Sequence, residues 1–502
     1  MNAPALPSQT PASAIPHDFP DRLSPILVKE LRQGLRQPTF VIAFLCLQVL
    51  LCIVVLVAAL SAPAGSREGS QAGVAVSGFF FTLLGLVLLV AQPIRALNAL
   101  ASEIKADTMD LLLLTRLNSW RITFGKWLAL VFQSGLLVVA VLPYLILRYY
   151  LGGMQLFSEL LALGMMFVFS ASLTGVMVGF SAVSSVLLRG LVGAGLLVLM
   201  IAISGEFRIL RMLSGSYGGV SLDFPDTPEA IKAFVLMILM QVFFGYYFLE
   251  MGATAISPAA ENRSTVKRLA GAFMLGMVLW LSPEAGPGRF VCWMVVLSVL
   301  VMDALSEHPD FTASVLRPFR RLGPLRGPVG MLLLPGWACG VFYTGLLIVA
   351  TLVLSMTGVL FEESNGYQIF AITVLWIAGL LGPAAIRVWF LAKMRNPLAG
   401  YIVVLLAMLV VGVVFFIIAE STNTSRGLLI GIPITPVCGI MAMEEYRFRS
   451  EADTAIVLAI LTAGVYWVAI YLRSLPHRKR IRMLDEQLTL TQKPERPPAD
   501  VA

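Results

Sequence analysis

Long uncharged apolar runs alternate with short polar stretches along nearly the whole chain. Residues 39–60 hold no charged side chain. At about 1.5 Å of rise per residue such a run spans about 33 Å, enough for a hydrocarbon core of about 30 Å. The pattern predicts an all-α, polytopic membrane protein of about twelve transmembrane helices. They are expected near 39–60, 74–94, 124–147, 157–183, 187–204, 233–251, 268–282, 289–305, 330–356, 368–390, 398–419 and 453–472. The fifth, seventh and eighth are short or broken by Gly and Pro. Residues 427–443 are apolar but interrupted by Pro433 and Pro436, and read as an extracytoplasmic half-helix or re-entrant piece, with a further span as the alternative.

The polar stretches divide the chain. Residues 1–20 are rich in Pro, Ala and Ser, lack the basic start and apolar stretch of a signal peptide, and read as a disordered tail. Residues 21–265 carry six expected spans and end in the connector Glu261–Arg268, ENRSTVKR. Residues 266–475 carry about six more, with a basic Pro/Gly loop from Arg317 to Pro328, and 476–502 read as a basic tail. The two halves show no visible repeat.

Composition agrees: 58% of the 502 residues are hydrophobic and only 13% charged, against about 25% charged in soluble proteins. A net charge of +7 could suggest nucleic acid in a soluble chain. Here the charge follows topology. With the N-terminus inside and the spans alternating, 27 of the 36 Lys and Arg fall on the cytoplasmic side, which predicts both termini there and no nucleic-acid role. The five cysteines form no CxxC pair or metal pattern and read as packing residues. His17, His308 and His477 lie apart, in expected loops or tails, and no catalytic or metal site is expected.

Two segments depart from the apolar pattern in an informative way. Ser24–Gln37 precedes the first span. Ser24 is placed to cap, Pro25 suits a first helical turn, and Val28, Leu31 and Leu35 recur at helical spacing. Lys29, Glu30, Arg32 and Arg36 then decorate an amphipathic helix, expected either to lie along the membrane interface or simply to anchor the next span. Glu103–Lys126, EIKADTMDLLLLTRLNSWRITFGK, mixes acids, helix starts and a leucine run. Glu103, Asp107 and Asp110 suit a helix N-terminus, Thr108 a cap, and Met109, Leu112 and Leu113 an apolar face; Arg116 closes the turn. Asn118 and Ser119 restart a helix running through Gly125 and Lys126 into the third span. The result is a helix–turn–helix elbow between spans 2 and 3.

This elbow resembles that of ABC-2 type permeases, the membrane subunits of ATP-binding-cassette exporters. The resemblance rests on Glu103, Thr108, Leu111 to Leu114, Thr115, Leu117, Gly125 and Lys126, with PILVKELRQGLR resembling the family's interfacial connecting helix. It covers residues 20 to about 260 and departs at Asp107, where a Gly is common, and at Arg116, where a Pro is common. The resemblance implies that the elbow is a coupling helix seated in a separate ATPase subunit, moved when ATP closes the ATPase dimer. The chain has no GxxxxGK[ST] loop, so ATP belongs to the partner and this chain is expected to bind no cofactor of its own. A transporter needs two elbows and the chain carries one, which implies a homo- or heterodimer of permeases. The family further implies the bacterial inner membrane, with lipid as the surrounding partner, and export.

Other features are less specific. Ser170, Ser172, Thr174, Gly175 and Gly179 line up small residues in the fourth span, a pattern of close helix packing more than of a substrate path. Gln48, Gln133 and Gln241 suit either interhelical hydrogen bonds or a translocation path. Glu250 is expected at a solvated span end, and span centres without ionisable groups weigh against an ion-coupled carrier. An integral membrane glycosyl- or acyltransferase and a non-transporting anchor that recruits an ATPase are the alternatives to a permease.

Overall fold

The computed structural model describes residues 24–61, 78–105, 118–151, 156–182, 190, 195, 227–282, 286–308, 312–319, 326–361, 366–394, 396–422, 429, 431–436 and 452–491. All regular structure among them is helical: α1 (Pro25–Arg36), α2 (Pro38–Ser61), α3 (78–96, with a π-helical stretch at Leu86–Ala91), α4 (Ala101–Lys105), α5 (Ser119–Leu151) and α6 (Leu156–Phe180). There follow α7 (Pro228–Ile256), α8 (Ser264–Leu281), α9 (Pro287–Ser306), α10 (Arg326–Leu333), α11 (Trp337–Met356), α12 (Gly366–Phe390), α13 (Pro397–Thr422) and α14 (Ala452–Thr491). Eleven helical stretches among the described residues are long and apolar enough to cross a membrane. The protein is therefore an all-helical integral membrane protein, because in lipid a helix satisfies its own backbone polar groups. The expected span at 187–204 lies outside the described residues except Gly190 and Gly195, as do the tail at 1–20 and residues 492–502.

The helices differ sharply in position. In α6 and α12 72% of the most apolar window is buried, whereas in α2 it is 17% and in α13 28%. The first pair is therefore central and the second pair peripheral. One hydrophobic cluster runs from Ile26 to Ile470, so both halves share a core. Helix α6 packs most extensively on α7, and α12 on α14. At the α6–α7 crossing a Cβ on Gly179 would lie 2.1 Å from the Phe248 carbonyl oxygen, and one on Gly252 would lie 2.8 Å from Gly179 Cα. Only glycine lets these backbones touch, which is the close packing expected of the small-residue stretch.

Several expectations need correction. The expected span 330–356 is two helices, α10 and α11, broken at 334–336. Gly336 sits there at φ 98°, a left-handed conformation that suits glycine. The Arg268 guanidinium donates to the Leu332 and Leu334 carbonyls at 2.7 and 2.8 Å, while the Glu307 carboxylate accepts from Gly336 N–H at 2.9 Å and from Arg268 at 2.7 Å. One ion pair thus satisfies backbone groups on both sides of the break. Residues 476–491, expected as part of a tail, continue α14 as helix. Ile481 and Leu484 pack there on Val315, Leu316, Phe319 and Leu334, and this apolar contact supports the extension. His477, expected in a tail, lies in the same helix with its ring 5.1 Å from Trp337. Of residues 427–443, 429 and 431–436 are described, the latter as a helical turn whose Pro433 carbonyl accepts from Tyr466. Cys292 and Cys339 are buried as expected, whereas Cys46 and Cys52 are exposed on the outward face of α2.

Candidate functional site

Helix α5 begins at Ser119 and carries Gly125 and Lys126 in its second turn. Helix α1 packs against it. A Cβ on Gly125 would lie 3.0 Å from Ile26 Cγ2, so the missing side chain admits α1 to close range. Four residues on, and so on the same face of α1, Glu30 meets the Lys126 ammonium at 2.8 Å. A second carboxylate, Glu103 of α4, reaches the same ammonium at 2.8 Å. The Lys126 side chain is 6% exposed, with Glu30 at 22% and Glu103 at 15%. One desolvated cation therefore clamps three elements: the helix before the first span, the short helix after the second span, and the start of the third.

The rest of α1 differs in detail from the expected stripe. Ile26, Leu27 and Gly34 are its buried residues, while Val28, Leu31 and Leu35 are half-buried. Ser24 precedes the helix but its hydroxyl makes no capping hydrogen bond. Lys29, Arg32 and Arg36 are exposed, as an amphipathic helix requires, and Glu30 turns inward to Lys126. Gln133 of α5 lies against Gly34, where a Cβ would come within 2.1 Å of its amide nitrogen. Of the other two glutamines, Gln48 donates from its amide to Ala140 O at 3.4 Å, an interhelical contact, and the Gln241 side-chain amide is buried between helices.

Glu103 lies in the short helix α4, which follows the second span after a turn at 97–100. Residues 106–117, and with them Asp107, Thr108, Leu112, Thr115 and Arg116, lie outside the described residues. The structure does define both flanks of that stretch. The first is the Glu103–Lys126 contact. The second is an arginine network that the sequence reading missed. Arg263, in the connector between the halves, donates to Asn118 Oδ1 at 3.1 Å, Ser119 Oγ at 3.1 Å, Glu250 at 3.1 Å and Glu261 at 2.6 Å. Ser119 donates to Glu261 at 2.7 Å, and the guanidinium lies 5.9 Å from the Trp120 ring centre. Glu250, expected in solvent, is 4% exposed and held by Arg263 and the Tyr246 hydroxyl. Hydrophobic patterning places a carboxylate at a helix end but does not say what covers it.

A third cluster joins α7, α8, α9 and α11. Lys267 contacts Asp303 at 2.8 Å and Glu307 at 3.2 Å, and Arg268 contacts Glu307 at 2.7 Å. The Tyr247 hydroxyl donates to Asp303, and the Tyr343 hydroxyl to the Arg268 carbonyl. Two cations and two carboxylates, each at most 6% exposed, make a neutral, hydrogen-bonded group. Burial pushes the Glu307 carboxyl up, and the Arg268 and Lys267 charges outweigh it, holding the group below the usual carboxylate range. The expected connector assigned Lys267 and Arg268 to solvent. They are instead in α8, which starts at Ser264, a turn earlier than expected. The legible signal was Asp303 inside an apolar run with Glu307 four residues on, one helical turn apart.

Among the described residues no group of three or more His, Cys, Asp or Glu side chains is placed to hold a metal ion. The chain matches none of the family models, curated proteins or solved structures with which it was compared.

Proposed function

We propose that this chain is the membrane permease subunit of an ATP-binding-cassette exporter, with residues 103–126 transmitting movement from a separate ATPase to the transmembrane helices. The observation that supports this reading is the Lys126 clamp. The resemblance selects three separate segments, around Glu30, around Glu103 and at Gly125-Lys126, and all three meet at one ammonium. A push on residues 106–117 passes at one flank through Glu103 and Lys126 to α1 and α5. At the other flank it passes through Asn118, Ser119 and Arg263 to the ends of α7 and α8. Rigid flanks are what a mechanical coupling element requires, since a loosely held elbow would absorb the motion. In this reading the ATPase supplies ATP hydrolysis, two permease chains supply two elbows, and both termini face the cytoplasm across a bacterial inner membrane. The transmembrane helices then alternate between inward- and outward-facing arrangements to export the substrate.

Tagged full-length chain should recover an ATP-binding-cassette ATPase from its native membrane, identified by mass spectrometry. Leu112→Glu, in the leucine run, should abolish that recovery while leaving the chain's elution profile unchanged. If no such ATPase is recovered with the intact chain, or if recovery ignores Leu112→Glu and Glu103→Gln alike, the coupling role fails. A measured ratio of one ATPase per chain supports the dimer of permeases, and two per chain overturns it.

A further inference from the structure

We propose that the corner where α12 ends against α14 is a binding surface for acidic phospholipid headgroups. The proposal is independent of the coupling reading, since none of its residues belongs to the Lys126 clamp or the Arg263 network.

Helix α14 has no charged residue from 454 to 472, about 28 Å of helix, so Arg473 marks where its apolar part ends. From there the helix continues with two contrasting faces. Ser474, His477, Arg478, Ile481, Leu484 and Asp485 are buried or half-buried, with Arg478 lying 4.1 Å from the Phe342 ring centre and 4.4 Å from that of Tyr471. The opposite face is exposed and mixed. Leu472, Leu475 and Met483 are 52%, 37% and 55% exposed, and Lys479 and Arg482 stand among them beside one exposed carboxylate, Glu486, with Arg473 and Arg480 at the margins, so the face is net positive.

The end of α12 extends the same surface. Trp389 and Phe390 are 53% and 81% exposed, and Lys393 follows them in the open. The Trp389 ring is fixed rather than loose: its Nε1 donates to Ala469 O at 3.2 Å, and the Arg473 guanidinium lies 5.8 Å from its centre.

This mixture selects the occupant. A face meant for water would not present Trp389, Phe390, Leu472 and Leu475, and a face meant for hydrocarbon would not present five cations and a carboxylate. Aromatic rings beside Lys and Arg suit the headgroup layer, where the rings sit among glycerol and acyl ends and the cations reach phosphate. Charge complementarity commits the surface to anionic over zwitterionic lipid. Each basic side chain at an anionic membrane surface contributes about fivefold to partition.

The test uses the full-length protein in nanodiscs. Dibrominated phosphatidylglycerol and dibrominated phosphatidylcholine are compared, at equal mole fraction, as quenchers of Trp389; the difference between wild type and Trp389→Phe isolates its emission. Phosphatidylglycerol should quench Trp389 more strongly. That preference should shrink in high salt and be lost in the quadruple variant Arg473→Gln/Lys479→Gln/Arg480→Gln/Arg482→Gln. If the quadruple variant fails to reconstitute, Lys479→Gln/Arg482→Gln, altered only on the exposed face, should reduce the preference in its place. Equal quenching by the two lipids overturns the proposal, and is the result expected if the surface instead serves an acidic protein. A preference that survives both charge removal and high salt overturns it as well.

Discussion

Replacing Lys126 by Met removes the shared cation and leaves two carboxylates facing each other across a nearly dry site. Each contact is 2.8 Å long, which at an effective dielectric constant of about 20 is about 6 kcal/mol of gross attraction. Desolvation of three charged groups cancels most of that. The net loss on cutting such a group at one member is about 3–5 kcal/mol. No large screening discount applies, since even Glu30, the most exposed of the three, is 22% exposed. Adding Glu30→Gln and Glu103→Gln to Lys126→Met should recover most of the loss, because uncharged groups of similar shape replace a buried ionic group at little cost. Unfolding by SDS titration in mixed micelles, followed by tryptophan fluorescence, measures both steps. Two results refute the reasoning: a Lys126→Met cost below about 1 kcal/mol, the range of a solvated surface pair, or a triple variant no more stable than the single one. In the proposed function the triple variant recovers stability but not ATPase-dependent transport, which separates a staple from a transmitter.

Three further outcomes are expected. Gly179→Ala should cost about 1–3 kcal/mol by overpacking against the Phe248 carbonyl; Gly164→Ala, where nothing lies within 4 Å, should be neutral or stabilising by up to about 1 kcal/mol, and equal effects at the two sites would show that the α6–α7 contact is not close. Arg263→Gln should cost about 3–5 kcal/mol by stranding the buried Glu250, and Glu250→Gln added to it should restore stability in the same titration; failure of that rescue refutes the pairing. The folded-state Glu307 carboxyl lies below its unfolded value of about 4.3, so its contribution is complete above that value and is lost as pH falls through the lower folded pKa. Stability measured from pH 6 to pH 3 should therefore fall less steeply in Glu307→Gln than in wild type, and parallel curves would rule this linkage out.

The elements visible in the sequence were those set by local pattern. An uncharged run such as 39–60 reads directly as α2, and the α1 helix and the start of α5 at Ser119 follow from short-range signals around Pro25 and Asn118. Gly125 and Lys126 stood out by resemblance, but nothing local said that Lys126 would find Glu30, 96 residues away. Sequence position misled where burial depended on a neighbouring helix. Glu250 and Arg268 look like ordinary charges at span ends. In the fold, Arg263 covers one, and the break between α10 and α11 engages the other.

Hydropathy is a property of each segment alone. A helix closes its own backbone hydrogen bonds, so a long apolar run is committed to crossing a membrane whatever lies beside it. That much, an all-helical membrane protein, follows from the segments taken one by one. Which charges leave water is a property of pairs. Burying Lys126, Arg263 or Lys267 becomes favourable only when a carboxylate from another helix arrives at hydrogen-bond distance. Close helix approach, as at Gly125 and Gly179, makes that arrival possible, and only the tertiary structure decides it.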